Sequence, residues 1–196
     1  EATTDFLALI SPPYAIGTTG DAINWSNGFA TQRTTAVNSS YGAIYWPWLK
    51  VFQTFDAKDR WLAPEIYGCR QMTYTDSVSD PWFAPAGFVR GRLTKPTDVE
   101  VVLNQGDRDS MYSGGNCLNP IVNFPQNGIA IFGQRTSQRQ PTALDRINVR
   151  RMMIYIKKVI LQSTQRLVFE PNDRFTWELV ASLINPLLND ISQRRG

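Results

Sequence analysis

The sequence predicts an α/β (α+β) fold: a mixed sheet of short strands packed with helices, closed by two long C-terminal helices. Three observations lead there. Short β-branched and aromatic runs, such as Phe6–Ile10 and Ala43–Phe55, alternate with helix-like stretches. Two apolar runs, Ile121–Phe124 and Ile129–Phe132, flank Pro125-Gln126-Asn127-Gly128, whose Asn-Gly pair offers the positive-φ residues of a tight hairpin. From Arg146 onward, apolar residues recur at helical spacing over two long stretches.

Taken in order, Phe6–Ile10 reads as a short buried strand stopped by Ser11-Pro12-Pro13. Asp21–Ala36 reads as a helix with Asp21 as its N-cap. Ala43–Phe55 reads as a strand broken by Pro47, and Asp56–Pro64 as a turn-rich connection. Pro64–Asp76 fits a helix or a strand, its apolar spacing deciding neither. Ser77–Lys95 is stretched and punctuated by Pro81, Pro85 and Gly87; Val99–Leu103 has strand propensity, and Arg108–Tyr112 forms a helical turn before Gly114-Gly115. In the first long helix Val149, Met152, Met153, Ile156, Val159, Ile160 and Leu167 make one apolar stripe. Arg146, Arg150, Arg151, Lys157, Lys158 and Gln162 make the other side, interrupted by Ile147, Ile154 and Leu161, which implies contacts on both faces. The last helix begins after Pro171, capped by Asn172 or Asp173. It presents Trp177, Val180, Leu183, Ile184, Leu187 and Ile191 on one arc and Arg174, Glu178, Asn185 and Asn189 on the other, with Pro186 expected to kink it.

A chain of 196 residues fits one domain, 1–196, able to bury about 70% of its unfolded surface. Six Trp, seven Tyr and ten Phe argue for an aromatic-rich core rather than a disordered tail. No apolar run approaches the ~20 residues of a membrane span, and Glu1–Asp5 lacks the basic start of a signal peptide. The chain opens without Met, as expected of a processed or cut piece preceded by further sequence. Cys69 and Cys117 are too few for a zinc cluster and are expected to be free thiols in a reducing compartment.

Histidine is absent, which removes the commonest general base, the commonest metal ligand and every Ser-His or Cys-His arrangement. Asp107-Asp109 and Asp76-Asp80 are the close acid pairs, and in their loop-like settings they read as solvated turn acids and caps. A histidine-free hydrolase built on Asp107 and Asp109 is the weakest functional reading. Ser113-Gly114-Gly115-Asn116 lacks the Gly-Lys-Ser/Thr of a phosphate loop and reads as a turn. Neither catalytic nor metal-binding residues, nor a cofactor, are expected. Charge is uneven: residues 133–166 carry eight basic residues against one acid, a local +7 that leaves −4 for the rest of a chain of net +3. Such a strip is a solvated face, a contact for an acidic protein partner, or a nucleic-acid site; the last is disfavoured because no aromatics interleave with it.

Four segments, APAGFVRGRL at 84–93, LNPIVNFPQNGIAIFGQRT at 118–136, LDRINVRRMMIYIKK at 144–158 and VFEPND at 168–173, resemble in order and distance the C-terminal core of contractile tail sheath proteins. SSYGAIYWPWLKV at 39–51 and Phe6–Pro13 resemble that family's upstream segments. Phe132-Gly133-Gln134-Arg135-Thr136 resembles its "W-G-x-R-T" signature, with Phe132 where the family usually has Trp. The resemblance implies a structural role for Arg135 and Thr136, which would tie two layers together. Glu170, Pro171 and Asn172 would end a strand-like Leu167–Phe169 and begin the last helix. It also implies a non-enzymatic subunit of the virion tail, assembled in the host bacterial cytoplasm, polymerising around an inner tube and rearranging on contraction. Its partners would be other copies of the subunit, the inner tail tube protein, and baseplate and tail terminator proteins, with no small-molecule substrate, no membrane and no nucleic acid. Candidate contacts to tube or neighbour are Arg150, Arg151, Lys157, Lys158, Arg174 and Glu178. Family members also carry variable outer domains and a C-terminal linking strand, and both are expected to be absent from this chain, whose end at Gly196 follows the last helix.

Overall fold

The structure, a computed structural model, describes residues 5–14, 16–31, 34–113 and 115–196. Residues 1–4, 15, 32, 33 and 114 lie outside it, and with them parts of the predicted 21–36 helix and of the Gly114-Gly115 turn. The fold is the mixed α/β arrangement expected from sequence. Its centre is a sheet ordered β1-β2-β6-β7, from Ala8–Ile10 (β1), Gly42–Trp46 (β2), Leu118–Phe124 (β6) and Gly128–Ile131 (β7). β1, β2 and β6 run parallel, and β7 returns antiparallel to β6. All five β2 residues are buried, as expected of an apolar run in a parallel strand covered on both faces. Strand alternation then sorts the core. Ala43, Tyr45, Ile121 and Ile131 join Tyr67, Met72 and Ile147 in one cluster, while Ile44, Trp46, Leu118 and Val122 join Trp25, Leu103 and Met111 in another.

Helix α1, Thr19–Asn27, and helix α4, Gln105–Tyr112, supply Trp25 and Met111 to the second cluster; helix α2, Pro64–Val78, supplies Tyr67 and Met72 to the first. α1 is shorter than the predicted 21–36 and is capped by Thr18, not Asp21. The Thr18 side chain accepts from the Asp21 N–H, and Gly28 ends the helix at φ +76. A second, antiparallel sheet, β4-β3-β5, comprises Leu49–Gln53 (β3), Lys58–Leu62 (β4) and Asp98–Val99 (β5). Pro47 therefore separates two strands of different sheets rather than interrupting one. The expected connection 56–64 contains strand β4, paired from Leu49↔Leu62 to Gln53↔Lys58, and of the expected strand 99–103 only Val99 is strand, as the second residue of β5. Ser77 and Val78 end helix α2, and the rest of the 77–95 stretch is irregular as expected, save for the short helix α3, Gly87–Arg90.

The β6–β7 hairpin is correct but its turn differs. The Asn127 N–H reaches the Phe124 carbonyl at 3.1 Å, and Gly128 alone of the pair takes positive φ, +74, giving a three-residue loop closed by a left-handed glycine. Beyond it come helices α5, Ile147–Thr164, and α6, Arg174–Gln193. A 3-10 turn, Gln165–Leu167, links them where a strand-like Leu167–Phe169 was expected. α6 runs unbroken through Pro186, and its cap is Asp173, whose Oδ1 accepts from the Thr176 N–H at 2.8 Å. Among the described residues no helix is long and apolar enough to cross a membrane.

Candidate functional site

Among the described residues a dense polar cluster gathers around Arg135. Its side chain is 13% exposed and donates from Nη1 to the Tyr112 carbonyl at 2.7 Å and from Nη2 to Asp145 Oδ2 at 3.2 Å. Its guanidinium carbon lies 5.3 Å from the Tyr112 ring centre. The backbone is held as firmly. Asn119, fully buried on β6, accepts the Arg135 N–H at 2.6 Å and donates to the carbonyls of Arg135 and Ile44 at 2.8 and 3.0 Å. Thr136 donates from Oγ1 to the Leu144 carbonyl at 3.0 Å, and its N–H reaches the Asp145 carbonyl at 2.9 Å. The Ile147 N–H donates to the Gln134 carbonyl at 2.9 Å. The segment 134–136 thus joins the central sheet, the end of α4 and the start of α5. Gly133 is obligatory beside it, because a Cβ would lie 2.8 Å from Asn119 Cα and from Pro120 Cδ. Arg135 and Thr136 both lie in this segment, bonded to the end of α4 and to the turn before α5. Tyr112, Asn119 and Asp145, their partners, were not singled out in the sequence; their separations of 10 to 23 positions leave no local pattern.

From this node α5 and α6 form a hairpin. Its base is tied at Trp82: Asn148 Nδ2 donates to the Trp82 carbonyl at 3.2 Å, and Trp82 Nε1 donates to the Arg194 carbonyl at 3.0 Å. The Arg194 guanidinium stacks 5.5 Å from the Trp82 ring centre and pairs with Asp80. Burial falls steeply from base to tip. Ile147 and Ile191 at the base are 0% and 4% exposed, whereas Phe169 and Phe175 at the tip are 98% and 75% exposed. Ile147, Ile154 and Leu161, read as a second contact line, follow that gradient: buried, half-buried, exposed.

The basic run does not form one surface. Arg139 donates to Asn27 Oδ1 at 2.6 Å, and Arg146 pairs with Asp145 at 3.1 Å. Arg150 is buried 4.0 Å from the Tyr41 ring centre with a bond to Ser40, and Arg151 reaches Asp76 at 2.6 Å. Lys157 pairs with Asp5 at 3.0 Å. Of the candidate contacts, Arg150 and Arg151 are therefore engaged inside the fold, while Lys157, Lys158, Arg174 and Glu178 are exposed; Arg174 and Glu178 pair with each other at 2.8 Å. Glu170 and Pro171 are exposed at the tip, and Asn172 accepts from Trp177 Nε1 at 2.7 Å. Asp107 is held in a capping box with Asn104. Cys69 is exposed and Cys117 buried, both as free thiols; burial pushes the Cys117 thiol up. Among the described residues no group of acids or cysteines could hold a metal ion.

The chain is thus a mixed-sheet body bearing a helical hairpin whose tip exposes apolar side chains. Its relatives are contractile tail sheath proteins. The chain is 35% identical over 176 residues to the tail sheath protein of Vibrio phage KVP40, and 31% identical over 188 residues to that of Enterobacteria phage T4. These alignments cover 89% and 90% of this chain but 26% and 28% of those proteins, so the chain spans about a quarter of the length of the curated relatives it matches. Among solved structures it superposes on the contracted sheath complex of an extracellular contractile injection system with a TM-score of 0.78 at 23% identity, covering 96% of this chain and 49% of that one. It superposes on the contracted helical sheath of the anti-feeding prophage with a TM-score of 0.70 at 25% identity, covering 96% and 46%. No protein-family model matches the chain.

Proposed function

We propose that this chain is the core domain, residues 1–196, of a contractile tail sheath subunit. It polymerises with other copies around an inner tail tube, meets baseplate and terminator proteins at the ends, and rearranges on contraction to drive the tube through the host envelope. The alignment with phage tail sheath proteins along 89% of the chain carries this reading. Such a subunit works by mechanics, not chemistry. It needs a body that stays fixed while neighbour contacts switch, and the Arg135 node supplies rigidity where the hairpin leaves the sheet. The chain's lack of histidine and the capping role of Asp107 favour a non-enzymatic role. Virion tail is the expected location, after assembly in the host cytoplasm.

Electron microscopy of the full-length protein tests this directly. Tubular sheath-like polymers are expected; a protein that stays monomeric at tens of micromolar, alone and with tube protein, would overturn it. Nucleic-acid binding finds little support, since Arg135, Arg139, Arg146, Arg150 and Arg151 are engaged internally.

A further inference from the structure

The face around the β6–β7 hairpin carries a cleft that the Arg135 node does not use. Phe88, Phe124 and Phe132 stack there with ring centres 4.9 to 5.5 Å apart, and Phe88 and Phe132 remain 43% and 42% exposed. Arg108 lies over the Phe124 and Phe132 rings at 5.3 and 5.8 Å, and Asp109 and Tyr112 complete the wall of a cavity of about 570 Å³. Among the described residues neither Arg108 nor Asp109 has an ion-pair partner; Arg108 Nε donates only to the Asn104 carbonyl. An aromatic pocket rimmed by one unpaired charge of each sign is a receptor for an apolar knob with complementary charges.

The same chain carries such a knob. At the turn between α5 and α6, Phe169 stands 98% exposed beside Val168, with Glu170 on one flank and Arg166 on the other. Glu170 and Arg166 likewise lack ion-pair partners among the described residues. The knob cannot fold back into its own cleft. The start of α5 is fixed to Gln134, whose N–H donates to the Tyr112 hydroxyl at 3.0 Å at the cleft wall. The knob lies beyond the other end of α5, about 25 Å away at ~1.5 Å per residue.

We infer that the Phe169 corner of one copy docks in the Phe88–Phe124–Phe132 cleft of the next, with Glu170 meeting Arg108 and Arg166 meeting Asp109. Knob and cleft are different surfaces of one chain, so the contact is head-to-tail and propagates into rings or open helices. This deepens the sheath reading and rests on it. Phe55, 95% exposed at the β3–β4 turn, is the rival knob, but its neighbouring acids are already paired, Asp56 with Arg60 and Asp59 with Lys50.

Two measurements on the full-length protein test the contact. Arg108→Glu and Glu170→Arg, made singly, should each raise the concentration needed for tube formation by about tenfold, and the double reversal should recover most of it. With Cys69→Ser as background, Phe88→Cys combined with Phe169→Cys should give a ladder of disulfide-linked dimers, trimers and higher species under mild oxidation, because a head-to-tail contact does not stop at two. Tubes that form normally without that cross-link overturn the contact and leave the sheath reading intact. A ladder from Phe55→Cys in place of Phe169→Cys overturns the choice of knob. If the wild-type protein forms no tubes the sheath reading fails, and cross-linking of concentrated protein in solution still decides the contact.

Discussion

Replacing Arg135 by Ala tests the node that joins sheet to hairpin. The substitution removes two hydrogen bonds, to the Tyr112 carbonyl and to Asp145, and the stack on the Tyr112 ring. Breaking a buried ion pair costs about 3–5 kcal/mol when one charge is left alone. Here Asp145 retains Arg146 at 3.1 Å, a partner 44% exposed, so the charge is not abandoned and the lower part of that range applies. Adding the unpaired Tyr112 carbonyl at about 1 kcal/mol and allowing for relaxation gives a loss of about 2–4 kcal/mol. For a chain of this size ~1 kcal/mol moves the melting temperature by about 2–4 °C, so a fall of about 9 °C is expected. Arg135→Lys should recover only part of it, since an ammonium cannot span the Tyr112 carbonyl and the Asp145 carboxylate as a planar fork does. Thermal unfolding followed by circular dichroism measures both. A midpoint for Arg135→Ala within 2 °C of the parent's, well below the ~9 °C expected, would show that the node contributes nothing net and that the reasoning is wrong.

Other expectations follow from single contacts. Gly133→Ala forces a Cβ to 2.8 Å from the backbone of Asn119, where nothing flexible can give way, and should cost about 1–3 kcal/mol; an unchanged urea midpoint would refute the close approach. Glu100 is held above the ordinary glutamate pKa by burial, and its Oε2 is buried with no hydrogen-bond partner among the described residues. Folding therefore disfavours its ionised form, so stability should be full below the ordinary value and fall as pH rises through the raised one; Glu100→Gln should flatten that fall, and an unchanged slope would refute it. If α6 lies against the tube through its exposed charges, Arg174→Glu with Glu178→Arg keeps their mutual pair but inverts what the tube meets. Assembly on tube should then weaken and lose its salt sensitivity, and normal assembly after the swap would exclude these two residues as tube contacts.

What could be read from the sequence was what local chemistry decides. The β6–β7 hairpin, the break at Pro47 and the two closing helices all come from turn residues and periodicity. Helix α2 could not be decided because its buried face mixes apolar with small and polar residues. Gly68, Gln71 and Thr75 are buried there beside Tyr67 and Met72, with Thr75 Oγ1 donating to the Gln71 carbonyl at 2.8 Å, so a hydrophobic pattern sees only part of the buried face. Strand β4 was missed because Lys58, Asp59 and Arg60 look like loop and are held as strand by pairing to β3, with Lys50 reaching Asp59 at 3.0 Å. Pro186 did not break α6, and nothing in its surroundings explains that; the basic run failed to make a face for a plainer reason. Partners distant in sequence, such as Ser40 and Tyr41 for Arg150 and Asp76 for Arg151, decide what a helix surface does.

The contrast between node and tip has a mechanical consequence. Force applied to the hairpin tip acts through α5, whose first residues are tied by Asp145 to Arg135 and by Ile147 to the segment that Asn119 fixes on the sheet. Those groups are buried, so parting them would leave charges and carbonyls without partners, and the hairpin moves with the sheet as one body. The tip is built oppositely, with the Phe169 side chain 98% exposed and Glu170 exposed beside it. Phe169→Ser and Glu170→Arg should thus leave the melting temperature unchanged while altering assembly, and node variants should lower the melting temperature before assembly is affected. Variants at the tip that unfold the domain would show that the tip helps hold the fold, and the division between a fixed body and exchangeable contacts would fall with it.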